Sequence, residues 1–161
     1  MPSDFRDTEW VVEPVAGGDL SSVAANIAGM DEAAKTEWWP SYSYETDGDR
    51  ISGATIALTT RVTMPQWDSY DQASKPEQDE WTRFCAALRA HEQGHLDIVT
   101  AILSQLEGQL IGKTTADGAN IWSETLRSIS LAESDYDNTT DHGRQQGTII
   151  DTSVANPPTA P

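Results

Sequence analysis

The sequence predicts an α+β domain, because its strand-like segments precede its long helical segments. Two patterns carry this prediction: apolar residues alternate with polar ones over residues 54–64, and they recur at helical spacing over residues 81–110. With 161 residues, the chain is long enough to bury one core without disulfides or other staples. We therefore predict a single domain over residues 9–147, with disordered tails at residues 1–8 and 152–161.

The first predicted elements are short. Trp10-Val11-Val12 predicts a brief strand. A short helix is expected next, with Asp19 as its N-cap and Gly29 near its end, because apolar residues recur between them at helical spacing. Residues 36–45 combine aromatic side chains with Pro40, which is typical of an edge strand or an irregular strand.

The clearest strand covers residues 54–64, where strict alternation indicates one buried face and one solvated face. The predicted buried face comprises Ala54, Ile56, Leu58, Thr60, Val62 and Met64. A turn signal, Thr46-Asp47-Gly48-Asp49, precedes this strand. The simplest topology pairs the strand with residues 36–45 as an antiparallel hairpin.

The second half of the chain is predicted to be helical. Ser74 and Glu77 fit a capping box at the start of a long helix that continues to about Leu110. A second helix is predicted over residues 118–133, where apolar residues again recur at helical spacing. The polar residues 134–143 are rich in turn formers, so we expect them to form a loop.

Composition excludes several classes of protein. A single cysteine, Cys85, rules out a disulfide framework within the chain. The formal net charge of −16 argues against nucleic acids and anionic membranes as partners, because the field repels phosphates. No segment approaches the ~20 apolar residues of a membrane-spanning helix. The first residues also lack the basic and apolar regions of a signal peptide, so either none exists or it was removed, and the chain as it stands reads as cytoplasmic.

The predicted long helix contains His91-Glu92-Gln93-Gly94-His95, which matches the H-E-x-x-H pattern of zinc hydrolases. Residues four apart on a helix are neighbours, so His91 and His95 can converge on one Zn²⁺ ion. Glu92 points about 100° away around the helix axis and can take a proton from a zinc-bound water. Gly94 is expected to let a strand, another backbone segment or the substrate approach closely.

A zinc hydrolase needs a third protein ligand. The metzincin pattern would place it at Ala101, which cannot bind a metal, so that class is excluded. His142 is our preferred third ligand, because it lies in the predicted loop after the second helix and that loop can return to the site. Carboxylates also bind zinc, and the alternatives are Asp137, Asp141, Glu124 and Glu133.

The chain resembles a bacterial family of predicted secreted zinc-dependent proteases, a domain-of-unknown-function family. The resemblance rests on Thr63-Met64-Pro65-Gln66-Trp67, on the H-E-x-G-H motif at residues 91–95, and on residues 136–143. The last segment, Tyr-Asp-Asn-Thr-Thr-Asp-His-Gly, is similar to the family's Tyr-Asp-x-x-Thr-x-His-Gly signature. The resemblance implies a zincin-like domain with His91 and His95 as zinc ligands, Glu92 as the base and the second motif completing the site. It also implies a secreted or periplasmic location.

Within the second motif, Tyr136 is a candidate catalytic residue, because a phenol can donate a hydrogen bond to a substrate carbonyl. Tyr136 can equally close its loop onto the core. Asp137 is expected to orient a ligand histidine through a hydrogen bond to the ring nitrogen that does not bind the metal. The predicted function is a zinc metallopeptidase that acts on peptides or proteins. The alternative is a non-catalytic domain that zinc stabilises and that serves as an interaction module.

Overall fold

In a computed structural model that describes residues 3–156, four strands and four α-helices follow one another, with three short 3-10 turns. In chain order they are β1 (Asp4–Phe5), β2 (Glu9–Val15), α1 (Leu20–Ala28), β3 (Lys35–Asp47), β4 (Arg50–Trp67), α2 (Lys75–Ser104), α3 (Leu106–Leu110) and α4 (Thr115–Thr140). The 3-10 turns are Tyr70–Gln72, Arg144–Gln146 and Thr152–Ala155. Apart from α1, the strands precede the helices, as the sequence predicts for an α+β domain. None of the described helices combines the length and the apolar character needed to cross a membrane.

Strand β4 is the centre of the sheet and pairs with each of the other three strands. Its two-residue connection to β3 contains Gly48 at φ +63°, a conformation that glycine adopts without strain, and it forms the predicted hairpin. Strand β1 runs parallel to β4, with Phe5 opposite Leu58, and so adds a parallel pair to the antiparallel N-terminal strands that the sequence predicts. Phe5 also packs against the hydrophobic core, which explains why Asp4–Phe5, in a segment expected to be disordered, forms a strand.

The predicted helix starts are confirmed at both helices that follow a capping residue. Asp19 accepts a hydrogen bond from the backbone N–H of Ser22 at 2.8 Å and caps α1. Glu77 accepts from the backbone N–H of Ser74 at 3.0 Å, which is the returning bond of the capping box. The other oxygen of Glu77 accepts from the N–H of Leu20 at 3.1 Å, so one carboxylate serves the first turns of α1 and α2.

The ends of the long helices differ from the prediction. Helix α2 ends at Ser104 rather than near Leu110, and α3 follows as a separate turn. Helix α4 continues to Thr140, so residues 134–140 are helical and their predicted loop is wrong. No glycine or proline occurs between residues 119 and 142, and tertiary contacts from this stretch outweigh its low intrinsic helix propensity.

By its contacts the described chain divides into two units, and β4 and α2 each contribute to both. One unit contains Thr36–Arg61 and Gln93–Thr139 together with β1. Its core is a cluster of buried side chains from β4, α2, α3 and α4. The cluster comprises Ile51, Ala54, Ile56, Leu58, Val99, Leu103, Leu106, Leu110 and Ile129.

The other unit contains Trp10–Lys35, Val62–Glu92 and the described residues from Thr140 onward. Its core is aromatic: the Trp81 ring lies 5.7 Å from Trp67 and 5.5 Å from Phe84, measured between centroids. The indole N–H of Trp67 donates to the carbonyl of Gly17 at 2.6 Å. A Cβ on Gly17 would lie within 2.5–2.7 Å of Val23, so close packing of α1 requires glycine there.

An ion pair on α2, between the buried Glu80 and the exposed Arg83, holds the segment that follows residue 146. The Glu80 side chain is buried and binds the Arg83 guanidinium through two hydrogen bonds of 2.7 and 2.8 Å. Arg83 also donates to the carbonyls of Gly147 and Ile149 at 2.8 and 2.6 Å. Glu80 in turn accepts from the N–H of Asp151 at 2.6 Å. The pair therefore satisfies three backbone groups of the C-terminal segment.

We expect Glu80→Gln to lower the free energy of unfolding at pH 7 by about 1–3 kcal/mol, because it removes charge-assisted hydrogen bonds. The bond from Arg83 holds the pKa of Glu80 below its usual value. The stabilising contribution is therefore complete above the unfolded-chain pKa of about 4.3 and is lost as the pH falls through the lowered folded pKa. Urea titrations at several pH values measure the difference, with Glu124→Gln, at an exposed glutamate, as control. An equal deficit at all pH values would contradict this account.

Candidate metal centre

The two histidines of the H-E-x-x-H motif lie on one face of the continuous helix α2. His91 is 6% exposed and Glu92 is 4% exposed, so the motif places a buried imidazole beside a buried carboxylate. His95 is also mostly shielded, with 11% of its side chain exposed. Among residues 3–156 no buried side-chain nitrogen or oxygen lacks a hydrogen-bond partner, as expected for polar groups held away from water.

Asp137, near the end of α4, joins the two histidines in a group that could hold a metal ion. One ligand atom from each of His91, His95 and Asp137 lies within 4.8 Å of the other two. Nε2 of His95 and Oδ1 of Asp137 are 3.0 Å apart. Two ligand atoms on a tetrahedral zinc ion at ~2.0–2.1 Å are separated by ~3.3 Å, so this spacing is close to what zinc requires.

The His91 ring is fixed by residues that follow α4. Oε1 of Gln146 lies 2.8 Å from Nδ1 of His91. Because an amide oxygen only accepts, this contact places the imidazole proton on Nδ1 and leaves the lone pair of Nε2 for a metal. The backbone at Gly143 passes so close to the ring that a Cβ there would lie 3.0 Å from Cγ of His91. The second sequence motif thus meets the first through Gly143.

The His95 ring lies between two carboxylates of α4. Oδ1 of Asp137 is 3.0 Å from Nε2, and Oε1 of Glu133 is 3.8 Å from Nδ1. Glu133 is held by the indole N–H of Trp38, which lies 3.0 Å from both carboxylate oxygens. Burial raises the pKa of Glu133, the hydrogen bond from Trp38 opposes this shift, and the charge of Asp137 adds to it.

The side chains around these histidines suit a divalent cation. A neutral imidazole has one proton, so His95 can donate to only one of its two carboxylate neighbours. The 3.0 Å contact is a hydrogen bond to Asp137, and a metal ion bound by Nε2 and Asp137 would leave the ring proton on Nδ1, on the side of Glu133. Two imidazole nitrogens and one carboxylate oxygen form a donor set that zinc accepts.

His142, the preferred third ligand of the sequence analysis, is not a member of this group. Its side chain is exposed, and so are those of Asp141 and Glu124. Asp141, His142 and Gly143 all have positive φ angles, 50°, 51° and 81°, so the chain leaves α4 through a left-handed turn. Among the residues considered as third ligand, the structure brings Asp137 to the two histidines.

A known family matches residues 14–143 of the chain, which is 130 of its 161 residues. The family is described as "Bacterial protein of unknown function (DUF922)". The chain belongs to the DUF922 family. The expected membership of a bacterial domain-of-unknown-function family is therefore confirmed, whereas the peptidase activity and the zinc stay predictions. No curated protein and no solved structure matches the chain.

In this DUF922 chain Gly94 makes room for the side chain of Tyr136. A Cβ on Gly94 would lie 2.2 Å from the Tyr136 hydroxyl oxygen and 2.3 Å from Cζ. The Tyr136 ring also meets the His95 ring edge to face, with centroids 5.0 Å apart and planes at 90°. The feature that approaches α2 at Gly94 is thus a tyrosine from α4, which places a phenol beside His95.

We expect Gly94→Ala to destabilise the chain by about 1–3 kcal/mol, because the new methyl group forces Tyr136 out of its position. In a Tyr136→Ala background the same change is expected to stabilise by up to about 1 kcal/mol, because alanine is the better helix former. A double-mutant cycle in urea measures the coupling. Gly108→Ala in α3, where a Cβ meets open space, is the control. Equal effects of Gly94→Ala in both backgrounds would contradict the contact.

Sequence reasoning did not assign Trp38 and Gln146 to the site, although each contacts the surroundings of a histidine. It named Asp137 both as an alternative third ligand and as an outer partner of a ligand histidine, and Asp137 is the residue in the ligand group. Extending the second helix past residue 137 would have placed Glu133 and Asp137 four apart on one face. Nothing in the sequence pattern connects Gln146 with His91.

Proposed function

We propose that the protein is a zinc-dependent peptidase. The observation that carries this proposal is the group of His91, His95 and Asp137 with the buried Glu92 in the same helix. Three protein ligands with nitrogen and oxygen donors are typical of catalytic zinc sites, which keep a further position for water. Membership of DUF922 does not conflict with this activity, because the function of that bacterial family is described as unknown.

A zinc ion at this site would act as a Lewis acid toward water and toward a peptide carbonyl. His91, His95 and Asp137 would hold it, with Gln146 fixing the orientation of His91. Glu92 would accept a proton from the water whose oxygen attacks the carbonyl carbon. It would then give that proton to the departing amine as the C–N bond breaks, so the carboxylate ends in its starting state.

Tyr136 is proposed to donate a hydrogen bond from its phenol to the substrate carbonyl oxygen as negative charge develops there. Its edge-to-face contact with His95 supports this role, because it brings the phenol beside a proposed ligand. The contact with Gly94 limits where the ring can go. Peptides or proteins are the proposed substrates.

The test is metal analysis of protein purified without added zinc, followed by assays of casein and mixed-peptide hydrolysis. We expect one zinc ion per chain, hydrolysis that a chelator stops, and recovery when zinc returns. Stoichiometric zinc without hydrolysis, together with a large loss of melting temperature on chelation, would instead support a zinc-stabilised interaction module. Protein that neither contains nor takes up zinc would overturn the proposal.

A further inference from the structure

Glu133 occupies a position that the peptidase proposal does not use. It faces Nδ1 of His95, the ring nitrogen opposite the one beside Asp137. We propose that Glu133 is a positioning residue for His95, that Trp38 holds it there, and that it keeps the imidazole proton on Nδ1 so that Nε2 binds the metal. This inference rests on the proposed function only for metal binding and not for peptide hydrolysis.

The first argument is the way in which Glu133 is held. The Trp38 indole is a donor only, and its Nε1 lies 3.0 Å from each oxygen of the carboxylate. Such a bond fixes the carboxylate as an acceptor and limits its rotation. The Glu133 side chain is 19% exposed, so little water competes for it. The carboxylate is thus a fixed negative charge at the Nδ1 side of His95.

The second argument is the arrangement around the ring. Glu133 and Asp137 are four residues apart on α4, so they lie on one face of that helix, and each approaches a different nitrogen of His95. The Glu133 oxygen lies 3.8 Å from Nδ1, and its negative charge favours a proton on Nδ1 once Nε2 binds a metal ion instead of donating to Asp137. The Tyr136 ring lies against the imidazole edge to face and restricts its rotation.

The same arrangement argues against Glu133 as a zinc ligand, a role that the sequence analysis left open. A metal ion on Nε2 lies on the Asp137 side of the ring, whereas Glu133 lies on the Nδ1 side. A carboxylate at the ring nitrogen that does not bind the metal commonly fixes the tautomer and the orientation of a ligand histidine. Losing such a carboxylate typically costs 10–100-fold in metal affinity. Glu133 fits this role on the Nδ1 side, and Asp137 fits the role of a metal ligand on the Nε2 side.

The experiment measures the zinc dissociation constant by competition with a chromophoric chelator for the parent, Glu133→Ala, Glu133→Gln and Trp38→Phe. We expect Glu133→Ala to raise it about 10–100-fold. Glu133→Gln should give a smaller loss than Glu133→Ala, because its amide oxygen keeps a partial negative charge beside Nδ1, and Trp38→Phe should give an intermediate loss. Glu124→Gln removes a charge from the exposed part of α4 and is expected to leave the affinity unchanged.

A second readout is measured on the zinc-loaded parent, and variants serve only to assign its signals. Long-range ¹H–¹⁵N correlation of the imidazoles, assigned with His91→Gln and His142→Gln, reports which nitrogen of His95 carries the proton. A proton on Nδ1 is the expected result. A proton on Nε2, or a Glu133→Ala protein that binds zinc as tightly as Glu124→Gln, would overturn this inference alone. A parent that binds no zinc would overturn the peptidase proposal as well.

Discussion

Glu92→Gln is expected to lower peptide hydrolysis by about 10²–10⁴-fold, the usual contribution of a general acid–base residue. Glutamine has nearly the same shape but cannot accept and return the proton of the attacking water. The zinc content is expected to stay at one ion per chain, because the proposed ligands are His91, His95 and Asp137. The measurements are initial rates on the peptide that the parent hydrolyses fastest and metal analysis of the same preparation.

The control for Glu92→Gln is Glu124→Gln, which makes the same change at an exposed position of α4. It is expected to leave both the rate and the zinc content at parent values. A Glu92→Gln protein that hydrolyses peptides at the parent rate would exclude Glu92 as the base. Loss of zinc together with loss of activity would show that the buried Glu92 carboxylate serves the metal site rather than the proton transfer.

Asp137→Ala is expected to weaken zinc binding by more than about 100-fold, beyond the range for an outer partner of a ligand. His142→Ala is expected to leave the affinity at the parent value, because His142 is exposed and lies outside the ligand group. Chelator competition under identical conditions measures both constants. The comparison decides between the third ligand that the sequence favours and the one that the structure brings to the histidines.

The matched control for Asp137→Ala is Asp135→Ala, which removes a carboxylate two positions earlier on the exposed side of α4. It separates the loss of a ligand from the loss of one negative charge in a chain with a net charge of −16. If His142→Ala abolished zinc binding and Asp137→Ala did not, the ligand group would be His91, His95 and His142. Asp137 would then return to the outer role that the sequence analysis gave it.

The sequence predicted those elements whose signals are local. Asp19 and Glu77 accept hydrogen bonds from backbone groups within three residues, so the helix starts could be identified from spacing alone. The buried face of β4 follows from strict alternation. The end of α4 could not be predicted, because residues 134–140 favour turns locally and are helical through contacts such as that of Tyr136 with His95.

The residues of the candidate site also fall into those with local sequence signals and those without. His91, Glu92 and His95 could be identified because one helix fixes their spacing. The role of Asp137 depends on α4 continuing past the predicted end at residue 133, and the role of Gln146 depends on the turn that follows that helix. Both residues reach the histidines only through contacts distant in sequence, and residue types at a given spacing do not encode such contacts.

The contact between Gly94 and Tyr136 has a consequence for recognising this site in other chains. The H-E-x-x-H pattern leaves its two middle positions open, yet here the second of them must lack a Cβ if the tyrosine is to lie beside His95. Gln93, at the first, is exposed and carries no such requirement. A search pattern built on the geometry would read H-E-x-G-H and then, on a second helix, a Tyr-Asp pair. That pattern joins the metal ligands to the phenol, and far fewer unrelated helices would satisfy it by chance.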